Sequence, residues 1–134
     1  MIVADTNLIG YLFISSQKQS QAIELLDRDS EWCSPILWRS EFRNVLAGYI
    51  RRKIFTLTQA QIIMDEALKL MSNREFMVAS ERVLSLVQAS TCTAYDCEFV
   101  ALAVELGYPL VTVDRQIREQ FPEIALSPEQ YLET

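Results

Sequence analysis

The sequence predicts an α/β domain with a central, mostly parallel β-sheet flanked by helices on both faces. Three observations carry that expectation. Short apolar runs alternate with stretches of helical periodicity along the whole chain, the pattern of strand–helix–strand crossovers. The 134 residues suit one domain, 1–134, and no linker, repeat or low-complexity stretch divides them. Half of the residues are apolar and mean hydropathy is +0.10, as in a globular chain with a sizeable core.

Met1 to Ala4 is a short apolar strand, and Thr6 begins a helix running towards Ile14. A second helix covers Gln19 to Arg28, with Ala22, Ile23 and Leu26 on its inner face. Glu31 to Ser34 reads as a strand that Pro35 ends. The helix from Leu37 to Arg52 carries Trp38, Phe42, Val45, Leu46 and Tyr49 at helical spacing. Thr58 with Gln61 forms a capping box for a helix reaching Ser72. Phe76 to Val78 is a short strand candidate, and Ser80 can cap a helix to Ala89. Thr93 opens a helix that ends near Leu106, where Gly107 supplies the stop. Pro109 to Val113 is a strand, Arg115 to Phe121 a short helix and Ile124 to Leu126 a last strand. Ser127-Pro128-Glu129-Gln130 combines a cap, a proline at the first helical position and a capping-box glutamine before a final turn.

Composition excludes whole classes of chemistry. The chain has no histidine, which removes Ser-His-Asp and Cys-His triads, histidine acid–base catalysis and His-ligated zinc. Cys33, Cys92 and Cys97 form no CxxC pair and are odd in number, so they read as buried, reduced thiols of a cytoplasmic protein. Any metal site must then be built from oxygen ligands, which select hard cations such as Mg²⁺ or Mn²⁺. No apolar run is long enough to cross a bilayer. The apolar stretch Leu8–Ile14 lacks a basic leader and a cleavage site, so no signal peptide is expected. The net charge of −6 argues against bulk electrostatic binding of nucleic acid, except where the negative charge is gathered in a metal pocket. Basic residues crowd unevenly, with Arg39, Arg43, Arg51, Arg52 and Lys53 in one segment and Arg115 and Arg118 in another; any one of them alone reads as a solvated helix face.

Four carboxylates stand out. Asp5 follows Ile2-Val3-Ala4 where a strand gives way to a helix, and alone it reads as an N-cap. Asp114 repeats the arrangement after Leu110-Val111-Thr112-Val113. Two strand-end aspartates in a parallel sheet can meet on one rim, where sites of such sheets form. Glu41 lies within the apolar stripe of its helix, a costly place for a carboxylate without a partner or a cation; a salt bridge to Arg39 or Arg43 is the other reading. Asp96 lies in the first turn of a helix whose Phe99-Val100-Ala101-Leu102-Ala103-Val104 is apolar all round. An acid there suits the helix dipole, and a buried helix would hold it rigidly at the mouth of the core. Glu98 in the same turn is a candidate extra ligand.

These residues also carry a family resemblance. Val3-Ala4-Asp5-Thr6-Asn7 resembles the opening of PIN domains, in particular of VapC-type toxin ribonucleases. Ser40-Glu41-Phe42-Arg43-Asn44-Val45-Leu46 is similar to their second motif. Thr93-Ala94-Tyr95-Asp96-Cys97-Glu98-Phe99-Val100-Ala101-Leu102-Ala103, the most distinctive match, is similar to the third, and Pro109-Leu110-Val111-Thr112-Val113-Asp114-Arg115 to the fourth. The motifs stand in family order over essentially the whole chain, while Thr56 to Ala89 carries little signature. The resemblance implies that Asp5, Glu41, Asp96 and Asp114 are catalytic acids holding Mg²⁺ or Mn²⁺, with polar support from Thr6, Asn7 and Thr112. It implies an endoribonuclease leaving a 5′-phosphate and a 3′-hydroxyl, paired with a small antitoxin protein. Arg39, Arg43, Arg115 and Arg118 are candidates for contacts to RNA phosphates. Weak non-specific affinity points to a particular folded RNA as substrate. The apolar surplus of Leu8–Phe13 and of the Leu37–Ile50 helix suggests a homodimer seam or partner groove as well as core. A PIN-fold RNA-processing enzyme, a structure-specific DNA nuclease and a non-catalytic interaction module are the competing readings.

Overall fold

The computed structural model describes all of residues 1–134. Five short parallel strands form one sheet: β1 (Ile2–Ala4), β2 (Trp32–Pro35), β3 (Glu75–Phe76), β4 (Leu110–Val111) and β5 (Ala125–Leu126). Eight helices connect and flank them: α1 (Thr6–Phe13), α2 (Gln19–Arg28), α3 (Trp38–Arg51), α4 (Leu57–Met71), α5 (Ser80–Gln88), α6 (Ala94–Leu106), α7 (Arg115–Gln120) and α8 (Pro128–Leu132). The spatial order is β3-β2-β1-β4-β5. The chain therefore winds outward from β1 to β3, crosses back and continues through β4 to β5. Right-handed crossovers in the two directions put α1–α4 on one face and α5–α7 on the other. The reversal lies between β1 and β4, whose register pairs Val3 with Leu110 and Ala4 with Val111. A crevice opens at the carboxyl ends of the strands at such a reversal.

Burial explains why such short strands hold. β1, β2 and β4 are buried throughout, as strands covered on both faces must be. α6 packs on β1, β2 and β4 and buries Cys97 and Phe99–Ala103, while Val104 is exposed; the expectation of burial all round fails at that residue. Gly107, at φ 74°, ends the helix, and its N–H donates to the Ala103 carbonyl at 2.9 Å. On the other face Trp38, Phe42 and Leu46 of α3 are buried, with Val45 and Tyr49 half-buried.

Several expected boundaries shift for identifiable reasons. Thr56-Leu57-Thr58-Gln59-Ala60-Gln61 holds two overlapping capping-box frames, and the fold uses Thr56 with Gln59. That frame starts α4 earlier, and the helix buries Ala60, Ala67 and Met71. The inner face of α2 is Ala22 and Leu25, with Leu26 half-buried against the core as expected, while Ile23 points to solvent. Ser80 is the first residue of α5 rather than its cap. β3 is Glu75–Phe76, because the Arg74 and Phe76 carbonyls accept from the N–H groups of Ser34 and Ile36, at 3.1 and 2.9 Å. β4 stops at Val111: the Thr112 N–H still donates to Leu126, but the Val113 N–H turns to the carboxylate of Asp5. All three cysteines are buried and free.

Candidate active site

Each of the four singled-out acids is delivered to the crevice by a different element. Asp5 leaves the end of β1 and caps α1, Glu41 stands on the first turn of α3, Asp96 on the first turn of α6, and Asp114 caps α7 after β4. All four line a single cavity of about 280 Å³, with Thr6, Asn7, Asn44, Val45, Phe99 and Ile117. No basic side chain is among these lining residues.

The N-cap and site readings of the two strand-end aspartates are both satisfied, because a carboxylate has two oxygens. Asp5 Oδ1 accepts from the Leu8 N–H at 2.8 Å, capping α1. Its Oδ2 accepts from the Thr112 hydroxyl at 2.5 Å and the Val113 N–H at 3.2 Å, which ties the end of β1 to the end of β4. Thr112 Oγ1 in turn accepts from the Asp114 N–H at 3.0 Å. Thr112 is wholly buried and does not line the cavity; it positions the two aspartates that do. Asp114 Oδ1 accepts from the Ile117 N–H at 3.0 Å. Thr6 holds Glu41, donating to its Oε1 at 2.6 Å. Neither Arg39 nor Arg43 reaches Glu41, so the salt-bridge reading of that acid is not what the structure shows.

The electrostatics follow from crowding and burial. Asp5 is 7% exposed, and burial pushes its pKa up to about 6 against the pull of its hydrogen bonds from Thr112, Leu8 and Val113. Burial raises Glu41, opposed by the Thr6 hydrogen bond and reinforced by the charge of Asp96. Asp96 is raised by burial and by the charge of Asp114, against its hydrogen bonds with Thr93. Glu98 stands apart: it is raised by burial and by Glu41's charge but lines a different depression, with Val78, Ser80, Val83 and Leu84.

No three of the carboxylates close on one point as a complete metal sphere. Their oxygen-only donor set, mutual repulsion and lack of a basic neighbour fit a hard divalent cation held by few carboxylates and several waters, as Mg²⁺ prefers. Asn44 escaped sequence reasoning; its signal was its spacing, three residues after Glu41 on the same helix face.

The candidate phosphate-binding arginines divide. Arg39 departs from expectation: its Nε and one terminal nitrogen each donate to Glu75 at 2.6 Å, and the Trp38 indole donates to the same carboxylate at 2.7 Å. That arginine clamps α3 to β3. Arg43 donates to the exposed Ser40 at 3.1 Å, Arg115 pairs with Glu119 at 2.9 Å, and Arg118 makes no side-chain hydrogen bond with the protein.

A doubly wound parallel domain with four acids at its topological reversal is the class of protein that fold and site define. The PIN domain model matches residues 2–120, and the chain belongs to that family. It is similar to Ribonuclease VapC3 of Pyrobaculum aerophilum, with 29% identity over 129 residues, 92% of this chain and 96% of the relative. Among solved structures it resembles PAE2754 from Pyrobaculum aerophilum, with a TM-score of 0.76 and 17% identity over 98% of this chain and 86% of that one. A toxin–antitoxin complex from Klebsiella pneumoniae contains a chain of the same fold, with a TM-score of 0.69 and 19% identity, covering 96% of this chain and 98% of that one.

Proposed function

We propose that the chain is a Mg²⁺- or Mn²⁺-dependent endoribonuclease, the toxin of a toxin–antitoxin pair, which hydrolyses an RNA phosphodiester to a 5′-phosphate and a 3′-hydroxyl. The observation that carries this reading is the convergence of Asp5, Glu41, Asp96 and Asp114 on one cavity without a basic counter-charge. Likeness to the ribonuclease VapC3 supports the ribonuclease assignment, and likeness to a chain of the Klebsiella toxin–antitoxin complex supports the toxin assignment.

Asp5, Glu41, Asp96 and Asp114 would hold the cation between them, some through water and one free to act as a base for the attacking water. A bound divalent ion supplies charge for the phosphate and lowers the pKa of a water aligned for in-line attack. The chain's own residues do the positioning. Thr112 and the Val113 N–H fix Asp5, Thr6 fixes Glu41, and the caps on α6 and α7 fix Asp96 and Asp114. Phe99, Val45 and Ile117 form an apolar wall that strengthens these interactions by thinning the water around them.

Antitoxin binding and a homodimer belong to the same proposal. The Leu8–Phe13 run is mostly absorbed by the core, with Leu8 and Ile9 buried and Tyr11, Leu12 and Phe13 half-buried against it. The exposed apolar side chains that support a partner surface lie elsewhere, notably Ile54, Leu57 and Ile62 around the α3–α4 corner. No helix is long and apolar enough to cross a membrane.

The test is cleavage of a panel of structured cellular RNAs and duplex DNA by purified protein, with Mg²⁺ or chelator, and with product ends mapped. RNA cutting that chelator abolishes, with 5′-phosphate ends, is the expected result. Chelator-indifferent cutting, or equal cutting of duplex DNA, refutes the proposal.

A further inference from the structure

The acidic cavity accounts for the scissile phosphate but offers no basic side chain to the rest of a polyanionic strand. Much of the chain's positive charge is engaged internally. Arg28 donates to the Leu132 carbonyl, Arg39 is held by Glu75, Arg52 donates to the Gly48 carbonyl, and Arg74 to the Trp32 carbonyl. Arg118 differs. Its Nε is the one buried side-chain nitrogen or oxygen without a hydrogen-bond partner, a condition native proteins relieve with water or a ligand.

Arg115 lies one turn before Arg118 on the same face of α7, tied only to the exposed Glu119. The two arginines line an open notch of about 240 Å³ together with Glu119, Gln130 and Leu126 of the edge strand. α7 stands between this notch and the acidic cavity: Asp114 and Ile117 line the cavity, Arg115 and Arg118 the notch. A helix is ~10 Å wide. A nucleic-acid strand a few nucleotides long covers that width.

We infer that the Arg115–Arg118 notch is a subsite for the phosphodiester backbone of the substrate strand, a few nucleotides from the scissile bond. The inference rests on the nuclease reading above. A guanidinium presents its donors as a fork that matches phosphate oxygens. The protein gives Arg118 Nε no acceptor, so that donor stays unpaired until water or an anion meets it. Gln130 offers an amide donor from the facing side. The exposed Glu119 ion pair with Arg115 is weak enough to yield to a phosphate. The strand thus passes α7 with one phosphate in the cavity and another, a few nucleotides along, in the notch.

The test measures binding of a fluorescent RNA to full-length protein in Mg²⁺, in an Asp96→Asn background that blocks cutting. Arg118→Gln and Arg115→Gln should each weaken binding on the order of tenfold. Each should also lower the slope of log affinity against log salt by about 0.7. Arg82→Gln on α5 serves as the control and should change neither. Arg118→Lys should recover the salt slope while recovering only part of the affinity. Unchanged melting temperatures establish that the variants fold. An Arg115→Gln/Arg118→Gln double variant that binds as tightly as its parent overturns the subsite, as does a parent that binds no RNA. Inorganic phosphate that displaces the RNA at equal phosphate concentration would make the notch a free-anion site and overturn the strand assignment. Arginine-dependent RNA binding by a wild-type protein that cuts no RNA would sink the nuclease reading and leave the subsite standing.

Discussion

Replacing Asp5 with asparagine should stabilise the metal-free protein at neutral pH while removing its activity. Burial raises the folded-state pKa of Asp5 from 3.8 to about 6. A carboxyl raised on folding favours the protonated native state, so its contribution is fully present below pH 3.8 and is lost as pH rises through about 6. At pH 7 the folded protein therefore carries an ionisation cost of about 3 kcal/mol, at about 1.4 kcal/mol per pH unit. Asparagine removes that cost and keeps the cap, because its oxygen can still accept from the Leu8 N–H. Its amide nitrogen then faces the Val113 N–H, donor against donor, while the Thr112 hydroxyl can turn to accept from the amide; the lost Val113 bond costs about 1–2 kcal/mol. The net gain is about 1–2 kcal/mol, or roughly 3–8 °C in melting temperature for a chain of this size. Thermal melts in chelator from pH 4 to pH 8 measure it. The wild-type and variant stability curves should cross near pH ~5, with the variant ahead above and behind below. Mg²⁺ should narrow the gap at pH 7 by stabilising the wild type more. A variant less stable than wild type at pH 7, with a parallel pH curve, refutes the argument.

Four further outcomes follow from the same geometry. Asp96→Asn should lower kcat on RNA by on the order of 10²-fold or more without lowering the melting temperature, and a wild-type rate in Mg²⁺ would remove its ligand role. Thr112→Val leaves Asp5 Oδ2 without its hydroxyl donor and the Asp114 N–H without an acceptor, so it should cost about 1–3 kcal/mol and slow cleavage, whereas Thr112→Ser should retain both properties. Arg39→Ala should cost about 1 kcal/mol in denaturant melts, since the pair is partly solvent-exposed, and leave RNA affinity unchanged; weakened RNA binding would return Arg39 to the phosphate contacts. Gly107→Ala should cost about 1 kcal/mol because φ at that position is 74°, and an unchanged melting temperature would show that the helix end relaxes instead.

The strand–helix alternation was legible because local rules govern it, whereas the four acids came together as a candidate site only through the family resemblance, each alone reading equally well as a cap, a dipole partner or a salt bridge. An apolar run followed by Asp-Thr-Asn or Asp-Arg states a strand end and a cap within a few residues. What the sequence concealed depends on contacts between distant segments. Thr56 and Thr58 both head a Thr-x-x-Gln frame, and no local rule tells which one caps α4; the fold takes Thr56 with Gln59. Two arginines of similar sequence context, Arg39 and Arg118, have opposite fates, because Glu75 comes to the first and no acceptor comes to the second. Thr112 is legible as a strand residue, yet its role as the pin between Asp5 and Asp114 exists only because β1 and β4 are neighbours. The order of strands thus carries the part of the site that no window of sequence contains.

Capping and catalysis are compatible at Asp5 and Asp114 for one geometric reason. A cap uses one carboxylate oxygen on the first turn of the helix, and the second oxygen remains for another task. At Asp5 that second oxygen receives Thr112 and the Val113 N–H, and the residue still lines the cavity. The cap therefore fixes the rotamer that presents the acid, so a structural role prepares the functional one rather than competing with it. Glu41 and Asp96 lack that arrangement in their own helices: Glu41 relies on Thr6 across 35 residues of sequence, and Asp96 on Thr93 at the start of α6. Neutralising the acids should thus separate the pairs. Asparagine at Asp5 or Asp114 keeps a helix start intact, whereas glutamine at Glu41 must re-form a bond to a hydroxyl on another helix. Loss of activity with an unperturbed fold is consequently the expected signature at the strand ends, and loss of activity with a loosened α1–α3 contact the expected signature at Glu41.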